Sequence, residues 1–183
     1  MKKLLYTQNE IFWLPKDLEA TVETYISDEL PPLELCPSTY AIVFKDGALL
    51  QTDLREGERP ARILDIPGGH IDEGEFPDQS VIRETFEETG VKVFEPKLVA
   101  YKKITIHSPR PEGYKYPHPV SYMLYYLCKI SEETPFDGNE DTHGRVWISS
   151  GEYEKSHWYI GEKTLVDEII SEFDINKSWN DTN

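Results

Sequence analysis

Cysteine is scarce in this sequence, which has only Cys36 and Cys128 among its 183 residues. The two are far apart, and neither has a second pair of metal-ligating residues nearby. This pattern suits a reducing cytoplasm, where we expect both thiols to be buried as small hydrophobic groups. We therefore assign neither cysteine a role as nucleophile or metal ligand.

Positive charge is also in short supply. The chain has 19 basic against 34 acidic residues and a formal net charge of −15 at pH 7. A surface this negative repels nucleic-acid backbones, so we expect no nucleic-acid polymer as a partner. It also repels phosphate esters, so an acidic protein that handles phosphates needs cations to mediate the contact.

Long hydrophobic runs are missing as well. Polar residues at 7–10 interrupt the apolar start of the chain, so no signal-peptide core is expected, and no stretch is long enough to cross a bilayer. We therefore expect no membrane partner. An apolar fraction of 38% and an aromatic fraction of 12% fit an ordinary globular domain with its own hydrophobic core.

The first part of the chain predicts a helix and then a hairpin. Pro15 begins a stretch with apolar residues at helical spacing, namely Leu18, Val22, Tyr25 and Ile26. Apolar runs at 40–44 and 48–51 flank Asp46-Gly47, a dipeptide typical of hairpin turns. We divide the chain into an N-terminal extension with a helix packed on the core (1–36), a single domain (37–175) and a polar tail (176–183).

The remaining segments predict alternating strands and helices. Strands are expected at 62–66, 93–106, 121–129 and 145–148, and helices at 77–89 and 162–173. Gly90 follows the first of these helices as its C-terminal stop. A long loop at 108–120 separates two of the strands. This order indicates an α/β protein with a sheet-containing core flanked by helices.

Three glutamates in the predicted helix point to a cation. Glu84, Glu87 and Glu88 stand at i, i+3 and i+4, so they share one face of the helix. Their charges repel one another, and Arg83 is expected to project about a quarter-turn away, unable to neutralise all three. Oxygen ligands of this kind are what Mg²⁺ or Mn²⁺ prefers, although acidic helix faces are commonly no more than solvated surface.

The residues around the glutamates favour the metal site. Gly68 and Gly69 follow a predicted strand and permit a backbone geometry in which a main-chain carbonyl turns towards a cation. Ile82 and Phe86 are expected to point the opposite way from the glutamates, towards the core. The segment therefore offers main-chain carbonyls as well as carboxylates as ligands for a metal ion.

The same stretch resembles the Nudix box, whose pattern is Gly, five residues, Glu, seven residues, Arg-Glu, an aliphatic, any residue, Glu-Glu, any residue, Gly and an aliphatic. Eight of the nine specified positions agree in one register: Gly69, Glu75, Arg83, Glu84, Glu87, Glu88, Gly90 and Val91. Thr85 departs from the usual aliphatic. That position packs and does not catalyse, and a helical threonine can bond back to the preceding turn.

The resemblance implies a fold and a chemistry. The fold would be the family's α/β/α sandwich with a mixed sheet and a loop–helix–loop catalytic motif. Glu84, Glu87 and Glu88 would bind the catalytic Mg²⁺ (or Mn²⁺) together with the Gly69 carbonyl. A metal-activated water would then attack a phosphorus of a nucleoside diphosphate linked to another group.

Further catalytic residues also follow from the resemblance. Arg83 and Glu75 would pair and hold the loop against the helix. Which carboxylate accepts the proton is left open, and Glu84 is a candidate. Many members of the family add a carboxylate from a loop outside the box, and Glu140 stands in a suitable place for it, although a solvated turn explains that segment equally well.

Two segments are candidates for substrate binding. Arg55, Arg59 and Arg62 precede the box and could meet a substrate phosphate, or they could serve solubility alone. The 108–120 loop mixes cations with aromatic rings, so a nucleobase could stack on a tyrosine such as Tyr114 while another residue, Arg110 or Lys115, meets a phosphate. A stiff, proline-rich surface loop is the alternative.

The substrate itself stays open at this stage. The box is most similar to that of MutT-like enzymes, which convert nucleoside triphosphates, including oxidised ones, to the monophosphate and pyrophosphate. A pyrophosphatase of ADP-ribose or another nucleotide derivative, a non-catalytic nucleotide-binding module, and a prenyl-diphosphate isomerase using Cys36 or Cys128 are the alternatives. The segment before Cys36 is long enough to form the arm of a homodimer or a cover for the substrate.

Overall fold

The computed structural model describes residues 2–11, 14, 18–54 and 63–175. Several predictions from the sequence therefore lie outside the described residues. They are those for Arg55, Arg59 and Arg62, for the Pro15 start of the N-terminal helix, and for the tail from residue 176 onwards.

Nine strands and two α-helices make up the described part. The strands are β1 (Lys2–Gln8), β2 (Ala20–Ser27), β3 (Ser38–Lys45), β4 (Ala48–Leu54), β5 (Ile63–Asp65), β6 (Gly68–His70), β7 (Val91–Ile106), β8 (Val120–Glu133) and β9 (Thr142–Ile148). The helices are α1 (Pro77–Thr89) and α2 (His157–Glu172), and short 3-10 turns occur at Leu33–Leu35 and Ser150–Lys155. The predicted strands after α1 and the predicted box helix are confirmed.

The strands form one mixed sheet in the order β1-β2-β7-β8-β3-β4-β5, with β6 beside β3 and β9 beside β4. β3 and β8 run parallel, and the other pairs are antiparallel. Because β3 has both β6 and β8 as neighbours over its first residues, it connects the glycine-rich segment to the centre of the sheet.

Two apolar layers cover the sheet, one on each face. Ala41 and Val43 of β3 belong to the cluster that contains Val81 of α1, whereas Ile42 and Phe44 belong to the cluster of α2. Strands buried on both faces appear in sequence as continuous apolar runs, which is why 40–44 lacks polar alternation. The predicted α/β/α arrangement is confirmed. The described residues contain no helix of the length and apolar character that a membrane span needs.

The predicted hairpin joins β3 to β4. Asp46 and Gly47 adopt φ values of 49° and 75° at the turn, a left-handed backbone that glycine and aspartate tolerate and that matches the twist of the two strands. The Tyr153 hydroxyl donates to the Gly47 carbonyl at 2.7 Å and attaches the turn to the segment before α2.

The predicted N-terminal helix is wrong, because residues 20–27 form β2. Alternate residues, Ala20, Val22, Thr24 and Ile26, are buried, which is the period of a strand. The same apolar residues fit a helical spacing, but β7 offers a long partner along seven register pairs from Ala20↔Ile106 to Ile26↔Ala100. Pairing with a distant strand therefore overrides the local pattern.

The second helix begins five residues before the predicted Glu162. The Ser156 side chain accepts a hydrogen bond from the Tyr159 amide at 3.1 Å and caps the helix at its true start. Glu162 itself stands at a break in the helix, with φ −121° and ψ 18°. Periodicity does not distinguish a polar residue at a break inside a helix from one at the helix start. The sequence therefore predicts the start of α2 at Glu162 instead of His157.

Glu162 is also one half of a buried ion pair. Its carboxylate accepts hydrogen bonds from the Lys102 ammonium and the Tyr6 hydroxyl, and Lys102 and Glu162 are only 3% and 6% exposed. Burial and the Glu162 charge hold the pKa of Tyr6 well above its usual value, so the hydroxyl keeps its proton. The pair ties α2 to β7 and to β1.

Candidate active site

β3 holds the glycine-rich strand β6 in register, with Tyr40 opposite Gly68, Thr39 opposite Gly69 and Ser38 opposite His70. A Cβ added at Gly68 would lie 2.3 Å from the Thr39 carbonyl oxygen, and one added at Gly69 would lie 2.5 Å from Oε1 of Glu84. At Gly68 the added atom would meet backbone, whereas at Gly69 the end of the Glu84 side chain would have to move. The glycines therefore let the backbone of β6 approach both the sheet and the carboxylate of Glu84.

Helix α1 has well-defined ends. Gln79 accepts a hydrogen bond from the Phe76 amide at 3.1 Å at the N-terminus, and Gly90 at φ 67° donates to the Phe86 carbonyl at 2.8 Å at the C-terminus. Thr85, the departure from the family pattern, is fully buried and its hydroxyl donates to the Val81 carbonyl at 2.6 Å. The expectation that this residue packs and bonds back to the preceding turn is confirmed.

The expectation that Ile82 and Phe86 face the core is wrong. Both are exposed, to 36% and 41%, and the core-facing residues of α1 are Val81, Thr85 and Thr89. The helix is rotated so that Glu84 and Glu88 lie partly beneath the surface, towards β6. In this orientation Glu84 and Glu88 contact the glycines of β6, and two apolar side chains are left exposed.

Arg83 clamps the loop before α1 to the helix. Its Nε and Nη2 atoms donate to the two oxygens of Glu75 at 2.9 and 2.8 Å, and Nη2 also donates to the His70 carbonyl at 3.0 Å. Bidentate pairing of this kind is both strong and directional. It holds the pKa of Glu75 down at about 2. The pair that the resemblance implied is thus present in the structure.

Arg83 also reaches the acidic face of α1, although the sequence predicts that its side chain projects about a quarter-turn away from the glutamates. Its Nη1 donates to Glu84 at 2.8 Å and to Glu87 at 3.2 Å. Glu88 has a different partner, because its Oε2 accepts a hydrogen bond from the Gly68 amide at 3.0 Å. The three carboxylates therefore share one guanidinium and one backbone amide.

Burial distinguishes Glu84 and Glu88 from ordinary surface acids. It raises the pKa of Glu84, although the contact with Arg83 opposes the effect. It raises the pKa of Glu88 to about 7, with the charges of Glu84, Asp65 and Asp141 adding to the effect and the Gly68 amide opposing it. Glu87 is 54% exposed. A cation at this face would relieve an unfavourable concentration of negative charge.

The residues fit a hard divalent cation by their chemistry. Across residues 2–11, 14, 18–54 and 63–175, no three His, Cys, Asp or Glu side chains already converge as a metal cluster. The groups that could bind a cation are nonetheless all oxygen atoms, which hard divalent cations prefer. The carboxylate of Glu84 occupies the space next to Gly69. A cation would compete with Arg83 for Glu84 and Glu87.

The loop with the predicted Glu140 is attached to the end of α1. The Asn139 side chain donates to the Glu87 carbonyl at 2.8 Å and accepts from the amides of Asp141 and Thr142 at 2.9 and 3.0 Å. Asp141 is the residue whose charge acts on Glu88. Glu140 is exposed. The segment is therefore near the box, with Asp141 as an additional acidic neighbour that sequence reasoning did not select.

Asp65 is a second acidic residue that the sequence did not reveal as part of the site. It ends β5, just before the turn into β6, and its Oδ1 accepts a hydrogen bond from the Ile66 amide at 2.8 Å. Burial raises its pKa to about 6. Its position at the end of a strand next to the glycines was the only signal in the sequence.

The predicted substrate residues of the 108–120 loop lie together. Arg110 donates to the Tyr114 carbonyl at 2.9 Å, and Tyr114 packs edge-on against Tyr116 with ring centroids 5.4 Å apart. Lys115 is exposed. These contacts order the loop, and binding of substrate by Arg110, Tyr114 and Lys115 stays a prediction.

Comparison with known proteins identifies the class. A family model described as the NUDIX domain matches residues 34–168. The chain therefore belongs to the NUDIX family and is a hydrolase of that family, whose members generally use divalent metal ions. An 8-oxo-dGTP diphosphatase from Haemophilus influenzae is similar, with 26% identity over 126 residues that span 69% of this chain and 84% of that protein.

Solved structures support the fold. A pyrophosphohydrolase from Bacillus subtilis superimposes with a TM-score of 0.61 at 19% identity, over 89% of this chain and 95% of that one. A NUDIX hydrolase from Nitrosomonas europaea gives 0.55 at 18% identity, over 79% and 97%. At these identities the likeness concerns the architecture alone.

Proposed function

We propose that this hydrolase uses Mg²⁺, or Mn²⁺, to cleave a nucleoside triphosphate, oxidised forms included, to the monophosphate and pyrophosphate. One observation carries the proposal, namely that partly buried carboxylates on α1 face the glycines of β6, where no side chain intervenes. The name of the similar Haemophilus protein, an 8-oxo-dGTP diphosphatase, supports the choice of a nucleoside triphosphate.

Glu84, Glu87, Glu88 and the Gly69 carbonyl would hold the cation. When bound, such an ion offsets charge on phosphate oxygens and lowers the pKa of a coordinated water. Arg83 has the supporting task, because its bond to Glu75 fixes the loop that presents Gly69. Glu84 remains our candidate for the proton acceptor.

Residues outside the box would complete the site. Asp141, through the Asn139 bond to the end of α1, is placed to add negative charge beside Glu88, and Glu140 next to it is the residue that the sequence suggested. Arg55, Arg62, Arg110, Tyr114 and Lys115 are the proposed substrate contacts. Replacing Asp141 by Asn and Glu140 by Gln in separate variants shows which of the two contributes, since only the contributing residue lowers the rate.

The test is a substrate panel. Purified protein is incubated with Mg²⁺ or Mn²⁺ and with dGTP, 8-oxo-dGTP, ADP-ribose, a nucleotide sugar and a dinucleoside polyphosphate, and the products are separated by ion-exchange chromatography. We expect a monophosphate and pyrophosphate from the triphosphates. Preferred cleavage of ADP-ribose or another derivative would correct the substrate, and no turnover of any compound with either metal would refute the proposal.

The isomerase alternative loses support from the cysteines. Cys36 and Cys128 are both buried, as predicted, and burial raises the pKa of Cys36 to about 12 and that of Cys128 further. A thiol with such a pKa is a poor acid–base catalyst near neutral pH. A cytoplasmic location, the homodimer and the lack of a nucleic-acid or membrane partner stay predictions from the sequence.

A further inference from the structure

The loop between β7 and β8 (107–119) lies next to the glycine-rich strand. Ser38 of β3 pairs with His70 of β6 on one side and with Met123 of β8 on the other. Since β8 begins at Val120, the loop enters the sheet close to this row. A side chain near the end of the loop can therefore contact β6.

Tyr116 makes that contact with His70. Their rings are parallel within 6°, with centroids 5.6 Å apart, and the Tyr116 hydroxyl lies 3.1 Å from Nε2 of His70. Both side chains are exposed, and Tyr116 retains 38% of its accessible surface. Two parallel, hydrogen-bonded rings thus present flat aromatic surface to solvent.

The pair is held firmly from both sides. The His70 carbonyl accepts the hydrogen bond from Arg83, which fixes the backbone of β6. Tyr114 packs edge-on against Tyr116 and rests on the apolar cluster of β2 and β7, which contains Ala20, Val22, Ile104 and Ile106. Because the His70 backbone is held by Arg83 and the Tyr116 ring packs against Tyr114, less conformational entropy is lost when a flat group binds to the pair than to two free side chains.

The distance to the box suits a nucleotide. His70 follows Gly69 directly, and consecutive Cα atoms are about 3.8 Å apart, so its ring lies within roughly 10 Å of the Gly69 carbonyl. Successive side chains of a strand point to opposite faces, so His70 projects away from the face where Glu84 fills the space at Gly69. Among the described strands β6 pairs only with β3, so a nucleotide can pass around its other edge, with the base at His70 and the phosphates beside the carboxylates.

We propose that the His70–Tyr116 pair is the surface on which the nucleobase of the substrate stacks. This inference rests on the proposed function and adds to it the residues that bind the base. Stacking uses the π-face that every base has and reads no hydrogen-bonding edge. The pair therefore contributes affinity for nucleotides over base-free phosphates and little discrimination between bases.

The experiment compares a substrate with a base to one without. We measure kcat and KM with Mg²⁺ for dGTP and for ribose 5-triphosphate in the wild type, Tyr116→Ala and Tyr116→Phe. Leu30→Ala is the matched control, because Leu30 is also exposed, at 47%, but follows the end of β2 remote from the loop. Circular dichroism checks that each variant is folded.

We expect Tyr116→Ala to lower the ratio of kcat/KM for dGTP to that for ribose 5-triphosphate about tenfold, mainly through KM for dGTP. Tyr116→Phe keeps the ring and most of the ratio, and Leu30→Ala keeps all of it. An unchanged ratio in Tyr116→Ala, or an equal loss in Tyr116→Phe, would overturn the inference.

Calorimetric binding of dGMP separates this inference from the proposed function. If neither triphosphate is hydrolysed but dGMP binds and Tyr116→Ala weakens it about tenfold, the proposed function fails and the stacking surface stands. If dGTP is hydrolysed and dGMP binds equally to both proteins, the stacking surface fails and the proposed function stands.

Discussion

The Glu162 cluster and the acidic face of α1 compensate carboxylate charge in opposite ways. Glu162 is buried with its own ammonium partner, Lys102, and a hydroxyl donor, Tyr6. On α1, three carboxylates share Arg83 and one backbone amide. The first cluster is complete within the chain, whereas the second has more acceptors than donors. Among the described residues, the α1 carboxylates therefore retain uncompensated negative charge, and four predictions test this contrast.

The largest effect is expected on catalysis at the box. Glu88→Gln removes one negative charge but keeps an oxygen that can accept the Gly68 amide, so the fold should persist. We expect kcat to fall about 10³-fold, which corresponds to about 4 kcal/mol of transition-state stabilisation. Steady-state kinetics with Mg²⁺ measures it. Glu73→Gln is the control, because Glu73 is an exposed carboxylate in the loop before α1. An equal loss of kcat in that variant would show that Glu88 has no particular role in catalysis.

Next in size is the stability contributed by the complete cluster. Lys102→Met leaves the Glu162 charge buried without its cation, and we expect unfolding free energy to fall by about 3–5 kcal/mol in urea titration. Lys3→Met breaks the exposed pair with Glu168 and should cost about 0–1 kcal/mol. Adding Glu162→Leu to Lys102→Met should recover much of the loss. Equal losses in the two lysine variants would show that burial gives the Lys102–Glu162 pair no special weight in stability.

A smaller effect is expected where the backbone approaches the box. Gly69→Ala places a methyl group 2.5 Å from the Glu84 carboxylate, so this side chain must move. We expect kcat/KM to fall about tenfold, or about 1.4 kcal/mol. Gly151→Ala is the control, because its Cβ would meet no heavy atom within 4 Å. If both variants keep full activity, the close approach has no role in catalysis.

The last prediction concerns Asp65, whose charge interacts with groups of both clusters. Burial raises its pKa from 3.8 to about 6, so its contribution to stability is complete below about pH 4 and is lost as pH rises through 6. Asp65→Asn cannot ionise. Its stability relative to wild type should therefore rise between pH 4 and 7 and then level off, by about 3 kcal/mol in total, since each pKa unit corresponds to about 1.4 kcal/mol.

Thermal unfolding in EDTA at a series of pH values measures this difference. The Asn side chain retains an oxygen for the Ile66 amide, so the local hydrogen bond is matched. A stability difference that is constant from pH 4 to 8 would show that Asp65 ionises as readily in the folded chain as in the unfolded one.

Elements with local signals were predictable. Helix α1 lies at 77–89 as expected, since Pro77 begins it and Gly90 ends it within the same stretch of chain. The β3–β4 turn follows Asp46-Gly47 for the same reason. The sequence predicts a helix where β2 lies, because the apolar residues there fit the spacing of a helix as well as that of a strand. Pairing with β7, which is far away in the sequence, decides for the strand.

Some features of the candidate site are likewise predictable from the sequence, and others are not. The spacing of Glu84, Glu87 and Glu88 on one helix follows from the sequence, as does the Arg83–Glu75 pair through the family resemblance. The rotation of α1 that exposes Ile82 and Phe86 did not, because a helix turns according to what it packs against. The electrostatic interaction between Asp65 and Glu88 also has no local signature, because the two residues are far apart in the sequence.

By itself, the sequence determined which acidic residues could act together, because positions three and four apart on a helix are neighbours in any environment. The tertiary structure alone decided what surrounds each carboxylate. Glu162 received Lys102 from β7 and Tyr6 from β1, and Glu88 received the amide of Gly68 from β6. Burial and charge compensation depend on residues far apart in the chain, so they arise only when the sheet and helices pack.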